Sequence, residues 1–425
     1  MKSAIIKNVS FEDLWDRFAE DENNLCCTRK FGNDGWESFI AWNPLSFYSA
    51  SKDDGIEGLK KFVKAQQKDN HRVFGYLSYD LGYYLFNIKP KAKNDLFLPD
   101  IFFYGFDSYI KFVSDGIEVV ACDESILNLY ITKVKTILSR PKIDKVSIPA
   151  SPHCFKLLAN TTKEAYSESY SKIKKYITEG DVYQINLTHR MEGETEKGSR
   201  DLFVSMCEKN KVGHIAYIEG VGFDILSASP ERFIKISANK TIDTFPIKGT
   251  RPRGKNQDED EKFKKQLMNS EKESAELNMV TDLLRNDIGK VSEIGSVKVI
   301  VSRNIYPYST VWHTYSNIQG KLLPCLSSMD ALLSMFPGGS ITGCPKKRAM
   351  EIIDEVEPTM RAVYTGSIGF IDPDDSLDFN IAIRTLIKKG SKVFLQVGGG
   401  IVYDSNEKDE YQETLDKAKS FLGIL

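Results

Sequence analysis

Lys392-Val393-Phe394-Leu395-Gln396-Val397-Gly398-Gly399-Gly400-Ile401-Val402 reads as a strand that runs into three consecutive glycines. Directly after it the spacing turns helical, with Leu415, Ala418, Phe421 and Leu422 as an apolar stripe. Working outward, strands and helices alternate irregularly and never settle into strand–helix–strand units. That irregularity predicts an α+β fold with antiparallel sheets rather than a wound parallel one. The first part of the chain is dominated by short β-rich runs such as Val73-Phe74-Gly75-Tyr76-Leu77 and Ile110-Lys111-Phe112-Val113, with a helix near Glu57 to Lys68. Pro141, Pro149 and Pro152, separated by polar residues, mark a crossover, so the chain divides into a β-rich region over 1–150 and a second region over 151–425.

Composition sets the outer bounds. With 425 residues, 41% of them hydrophobic, the chain can bury a large core. A net charge of -2 carries no nucleic-acid or polybasic membrane signal. No apolar run approaches a membrane span and the start has no long apolar core, so no membrane partner is expected. Seven cysteines in an odd, unpatterned set read as reduced thiols in the cytoplasm.

Three features carry chemistry. In Pro246-Ile247-Lys248-Gly249-Thr250-Arg251-Pro252-Arg253-Gly254, prolines and glycines fix the backbone around one amine. Lys248 reads either as a nucleophile, its pKa depressed by Arg251 and Arg253, or as part of a solvated basic loop. Glu273 and Glu276 share one helix face, and Glu410 and Glu413 repeat that arrangement near the C-terminus. Such pairs suit Mg2+, which takes one or two carboxylates and keeps its waters, or they are salt-bridged surface groups. The third feature is Gly338-Gly339-Ser340-Ile341-Thr342-Gly343-Cys344-Pro345-Lys346, which opens a helical pattern and offers backbone N–H groups to an anion. Phosphate-binding glycine fingerprints are missing, so a carboxylate is expected rather than a phosphate. Arg384, in the strand-like run Phe379 to Leu386, supplies a planar fork for it.

Taken with Gly180-Asp181-Val182-Tyr183-Gln184-Ile185-Asn186-Leu187, Ser229-Pro230-Glu231-Arg232-Phe233 and Asp282-Leu283-Leu284-Arg285-Asn286-Asp287, these motifs resemble the chorismate-utilising enzymes from about Thr162 to Leu422. That family includes anthranilate, aminodeoxychorismate, isochorismate and salicylate synthases. The resemblance implies a fold of two large antiparallel β-sheets packed as a sandwich with helices outside, 151–425 being the chorismate-binding catalytic region. Members that add water carry a lysine base where this chain has Gln184, which cannot accept a proton. Ammonia is therefore the implied nucleophile. Lys248, where anthranilate synthases usually carry alanine, places the resemblance nearest the aminodeoxychorismate synthases, which lead toward 4-aminobenzoate and folate. An anthranilate synthase large component and a non-catalytic chorismate-binding protein remain the other readings.

The resemblance also implies roles. Lys248 would attack the substrate, Glu231 would be the general acid, and His313 would contact the departing hydroxyl. Arg384 and Tyr364 would hold the pyruvyl carboxylate, with Thr250, Gln184 and backbone N–H groups at Gly343 and Gly399 completing the substrate site. Glu276 and Glu413 would hold Mg2+ directly, with Glu273 and Glu410 acting through water. Cys344 reads as packing. None of the cysteines has the glycine-rich setting of a glutaminase nucleophile, so the ammonia would come from a separate glutamine amidotransferase chain.

Overall fold

The computed structural model of the protein describes residues 1–19, 22–31, 36–51, 54–142, 157–308 and 311–424. Pro149, Pro152 and the boundary at 150 lie outside the described residues. Two antiparallel sheets make up the framework, one of twelve described strands and one of ten. In the larger, Lys2–Lys7, Gly116–Ala121, Ser108–Val113, Phe39–Ala41 and Cys26–Arg29 lead to His214–Glu219 and Asp224–Ser229. Thr385–Lys389, Lys392–Ile401, Gln184–Glu194 and Gly343–Cys344 complete that path. The smaller sheet joins Ile247–Pro252, Val311–Lys321 and Arg232–Ile236 through Leu377–Asn380 and Ser367–Ile371 to Arg72–Leu77 and Ile101–Phe106. Both sheets thus contain strands from either side of residue 150.

Alternation along these strands puts one face of each sheet against the other. Phe39, Phe74, Tyr76, Phe102, Ile218 and Phe370 fill the space between them. Burying each such side chain contributes about 1.5–3 kcal/mol. The outer faces are closed by helices. Glu124–Ser139, Ser199–Lys209 and Glu407–Leu422 cover the larger sheet, while Asp54–Lys68, Glu271–Gly289 and Ser328–Met335 cover the smaller. The sandwich expected from the sequence is therefore present. Among the described residues, no helix is long and apolar enough to cross a membrane.

Two chain crossings between the sheets prepare the site. Asp224–Ser229 belongs to the larger sheet and Arg232–Ile236 to the smaller, so Glu231 sits in the step between them. The second crossing corrects the single strand read over Phe379 to Leu386. Leu377–Asn380 lies in the smaller sheet and Thr385–Lys389 in the larger, and Arg384 stands between them with φ 52°. A left-handed backbone at a non-glycine residue is uncommon and breaks the ladder there. The crossings are neighbours, joined by Ile381 N–H to the Glu231 carbonyl and Ala228 N–H to the Arg384 carbonyl, each 3.0 Å.

Candidate active site

Lys248 lies on Ile247–Pro252, next to the long strand Val311–Lys321. Gly249, at φ 83°, makes a bulge, so Lys248 pairs with Thr314 while Thr250 pairs with His313. A side chain there would be strained, and its Cβ would lie 3.1 Å from the Glu273 carboxyl carbon. Arg251 and Arg253 do not crowd the amine, as the sequence suggested. Arg251 pairs with Glu273 at 2.7 Å and Arg253 with Asp260 at 2.7 Å. The Lys248 charge is felt by the carboxylates of Glu231, Glu276 and Glu413.

Ser340 joins Lys248 to Glu231. The Lys248 amine donates to the Ser340 carbonyl at 3.4 Å, and the Ser340 hydroxyl donates to Glu231 Oε1 at 2.7 Å. Burial pushes the Glu231 carboxyl up to about 7, outweighing the Ser340 hydrogen bond and the Lys248 charge, both of which lower it. The neighbouring Arg232 does not oppose this, because it makes a two-pronged ion pair with Asp378 at 2.8 and 3.0 Å.

His313 is buried, with Nδ1 2.9 Å from Thr250 Oγ1 and 3.2 Å from the Gly249 carbonyl. A carbonyl only accepts, so Nδ1 carries the proton and Nε2 keeps a lone pair, which is buried and without a partner. Burial and the nearby Arg384 hold its pKa down to about 4, so the ring is neutral at pH 7. Arg384 itself has no side-chain hydrogen bond or ion pair among the described residues. Burial lowers its pKa, as expected for a cation with little to compensate it.

The two acidic pairs come from two helices. Ser270 caps Glu271–Gly289 by accepting from Glu273 N–H, and Asn406 caps Glu407–Leu422 by accepting from the N–H groups of Lys408 and Asp409. Each cap starts its helix just before the paired glutamates. Burial raises the Glu276 pKa, and Glu273 and Glu413 raise it further, which places these three carboxylates within one another's field. Glu410 is raised by burial and by Glu413, with Ser405 donating to it at 2.7 Å. Glu413 is lowered: burial raises it, but Lys417 at 2.7 Å prevails, helped by Lys248 and Lys272. Gly399 lies beneath this pair, and a Cβ there would come within 3.3 Å of Glu410 Oε2 and 3.8 Å of Glu413 Oε1.

Gln184, Gly343 and Tyr364 are the remaining substrate-binding candidates. Gly343 has φ 144°, and a Cβ would lie 2.2 Å from the Gln184 carbonyl, so only glycine fits this pairing with Gln184–Glu194. The Gln184 Oε1 atom is buried without a partner. Tyr364 is buried, and burial keeps its phenol protonated. Among the described residues no hydrogen bond joins its side chain to the other candidates. Cys344 is half-buried and its thiol is pushed up by burial, in keeping with a packing role. Sequence reading gave no role to Ser340, although it stands inside the glycine-rich motif, or to Tyr308. The Tyr308 hydroxyl donates to the Pro230 carbonyl at 3.1 Å, and its ring meets His313 edge-on at 5.4 Å.

Glycine turns, an arginine with no side-chain hydrogen bond or ion pair among the described residues, and three carboxylates that feel one amine make up the candidate site. Residues 26–423 match the model of the chorismate binding enzymes. The chain belongs to that family. It is 38% identical over 410 residues to aminodeoxychorismate synthase component 1 of Bacillus subtilis (strain 168), covering 91% of this chain and 85% of that one. It is also 40% identical over 366 residues to an anthranilate synthase component 1 of Haloarcula marismortui, covering 82% and 72%. Anthranilate synthase component I from Streptococcus pneumoniae superposes with a TM-score of 0.80 at 28% identity, over 93% of this chain and 94% of that one. This member of the chorismate-binding family is therefore similar both to an aminodeoxychorismate synthase component and to anthranilate synthase components.

Proposed function

We propose that this enzyme aminates chorismate at C4, taking ammonia from a separate glutaminase chain and releasing 4-amino-4-deoxychorismate. The observation that carries the reading is the Lys248–Ser340–Glu231 bridge, which sets an amine and a buried, protonatable carboxyl on one serine. In the first displacement the Lys248 amine bonds to ring C2, the ring double bonds shift, and the C4 hydroxyl leaves as water after taking the Glu231 proton. Neutral His313 would accept a hydrogen bond from that hydroxyl at Nε2 and turn its lone pair toward Glu231. The ammonium adduct on Lys248 then returns a proton to Glu231. In the second displacement ammonia bonds to C4 while Glu231 gives that proton to the Lys248 nitrogen as the C2–N bond breaks; the C4 ammonium then returns a proton to Glu231, and the pyruvyl group stays on the ring.

Arg384 would hold the pyruvyl carboxylate through its planar fork, with the protonated Tyr364 beside it. Among the described residues, no three His, Cys, Asp or Glu side chains stand close enough to form a ready-made metal cluster. Mg2+ does not need one, since one or two carboxylates with waters and substrate oxygens suffice. The donors fit that requirement: Glu273 Oε2 is buried without a partner, and Gly399 leaves room beneath Glu410 and Glu413. Glu276 and Glu413 would hold Mg2+ directly and Glu273 and Glu410 through water, and the ion would supply Lewis-acid stabilisation at the ring carboxylate.

A second reading, anthranilate synthesis, draws on the Haloarcula and Streptococcus relatives. One assay separates the two. Pure protein incubated with chorismate, Mg2+ and an ammonium salt should give the 4-amino product by mass without pyruvate, whereas anthranilate with pyruvate would establish the second reading. Without ammonia, acid-quenched protein should carry an adduct of chorismate minus water, and Lys248→Ala should lose it. An undiminished rate of 4-amino product from Lys248→Ala would reject covalent catalysis by this lysine.

A further inference from the structure

Beneath the site lies a second arginine that touches none of the candidate catalytic side chains. Arg361 is 1% exposed and stacks on Tyr79 at 4.6 Å. Its guanidinium donates to Glu357 Oε2 and Oε1 at 2.9 and 2.7 Å, to the Asn186 carbonyl at 2.6 Å, to the Ile341 carbonyl at 3.1 Å and to Thr365 Oγ1 at 3.4 Å. Apart from Glu357, the acceptors belong to segments that carry a site group. Asn186 is two residues from Gln184, Ile341 follows Ser340, and Thr365 follows Tyr364.

The network is closed by its neighbours. Glu357 Oε1 also accepts the N–H and hydroxyl of Thr188, both at 2.9 Å. Asp80 accepts the N–H groups of Arg361 and Ala362 at 3.2 and 2.9 Å. Replacing a buried ion pair by apolar residues is often neutral or stabilising, so stability alone does not account for this one. A planar fork, by contrast, fixes the directions of several partners at once.

We infer that Arg361 is a positioning residue for amination: it holds the Ser340 loop, the Gln184 strand and the Tyr364 turn in one register, and through Ser340 it keeps the hydrogen bond on Glu231. This rests on the function proposed above. Arg361→Lys keeps the charge and removes the fork. Misplacing reacting groups by an ångström costs on the order of tenfold to a hundredfold in rate, and a loss of that size in kcat is expected at saturating Mg2+. The KM for Mg2+ should stay unchanged. The Ser340 hydrogen bond lowers the Glu231 pKa, so its loss should move the basic limb of the pH profile to higher pH.

Hydrogen exchange read by mass should quicken in peptides spanning 338–345 and 361–366 and stay unchanged in 108–121. A folded Arg361→Lys with wild-type exchange and kcat would overturn the inference, as would a loss that only tracks the folded fraction with an unshifted limb. Should Arg361→Lys fail to fold, Glu357→Gln carries the same readouts. If wild-type protein leaves chorismate unconsumed, the proposed function fails, while the exchange measurement still decides the role of Arg361.

Discussion

Arg361 gives every arm of its guanidinium to Glu357, Ile341, Asn186 and Thr365, whereas Arg384 has no side-chain hydrogen bond or ion pair among the described residues. The same contrast separates the carboxylates. Glu357 is closed off by Arg361 and Thr188, while among the described residues Glu276 has no hydrogen bond or ion pair and feels two other glutamates. One region is a satisfied polar network that specifies geometry; the other keeps charges apart at a cost to folding. Buried charge without a partner persists only where something else compensates it, and here the compensating groups would be the substrate dianion and the metal.

The sharpest way to break this comparison is to neutralise the open carboxylates. Glu276→Gln and Glu413→Gln should each lower turnover by roughly a thousandfold, since the ion they would hold stabilises developing charge by several kcal/mol. Glu276→Gln also removes a repelling charge, so the protein should melt no lower than wild type. Steady-state rates at limiting Mg2+ check this, and full activity there would exclude these residues as ligands.

The closed network gives the next effect. Arg361→Met leaves Glu357 buried and unpaired, which should destabilise the protein by about 3–5 kcal/mol in denaturant unfolding. Arg384→Met should do the opposite. Stability should hold or rise, while chorismate affinity falls by about 1.5–3 kcal/mol, the usual loss for hydrogen bonds to a charged group. Calorimetric titration with chorismate beside the unfolding curves reads both halves. A destabilised Arg384→Met would mean that this arginine has a structural partner and that the contrast is false.

How legible each region was in the sequence follows the same division. Helices 271–289 and 407–422 were readable because an apolar stripe at helical spacing fixes which face the glutamates occupy. Gly343 was marked in the sequence only as a backbone N–H donor to an anion; the structure adds that a Cβ there would lie 2.2 Å from the Gln184 carbonyl. Arg384 was picked out, but its setting was misread. A run of apolar residues looks the same whether it stays in one sheet or passes between two, and the left-handed turn at 384 leaves no local mark. Ser340 went unassigned because its partners, Lys248 and Glu231, are 92 and 109 residues away. Arg361 left only a weak trace, its four-residue spacing from Glu357. Hydrogen bonds to main-chain carbonyls of distant segments have no sequence pattern at all.

Glu231 offers the finest test, because it is buried like Glu357 but carries its charge conditionally. Burial raises its pKa from 4.5 to about 7, so the folded protein binds the proton more tightly than the unfolded chain does. Its contribution is therefore fully present below about pH 4.5 and is lost as pH rises toward and through 7. Between pH 5 and 7 that loss amounts to about 2 kcal/mol, from roughly 1.4 kcal/mol per unit of differential titration. Glu231→Gln should flatten this part of the stability profile, with unfolding midpoints measured on both proteins at matched pH. The catalytic counterpart has the same sign. A general acid works while protonated, so kcat should fall above about pH 7, and adding Ser340→Ala should move that limb upward by removing the hydrogen bond that favours the carboxylate. Parallel stability profiles for wild type and Glu231→Gln would show a carboxyl already ionised at neutral pH, unable to donate to the leaving oxygen, and the open region would then have to find its acid elsewhere.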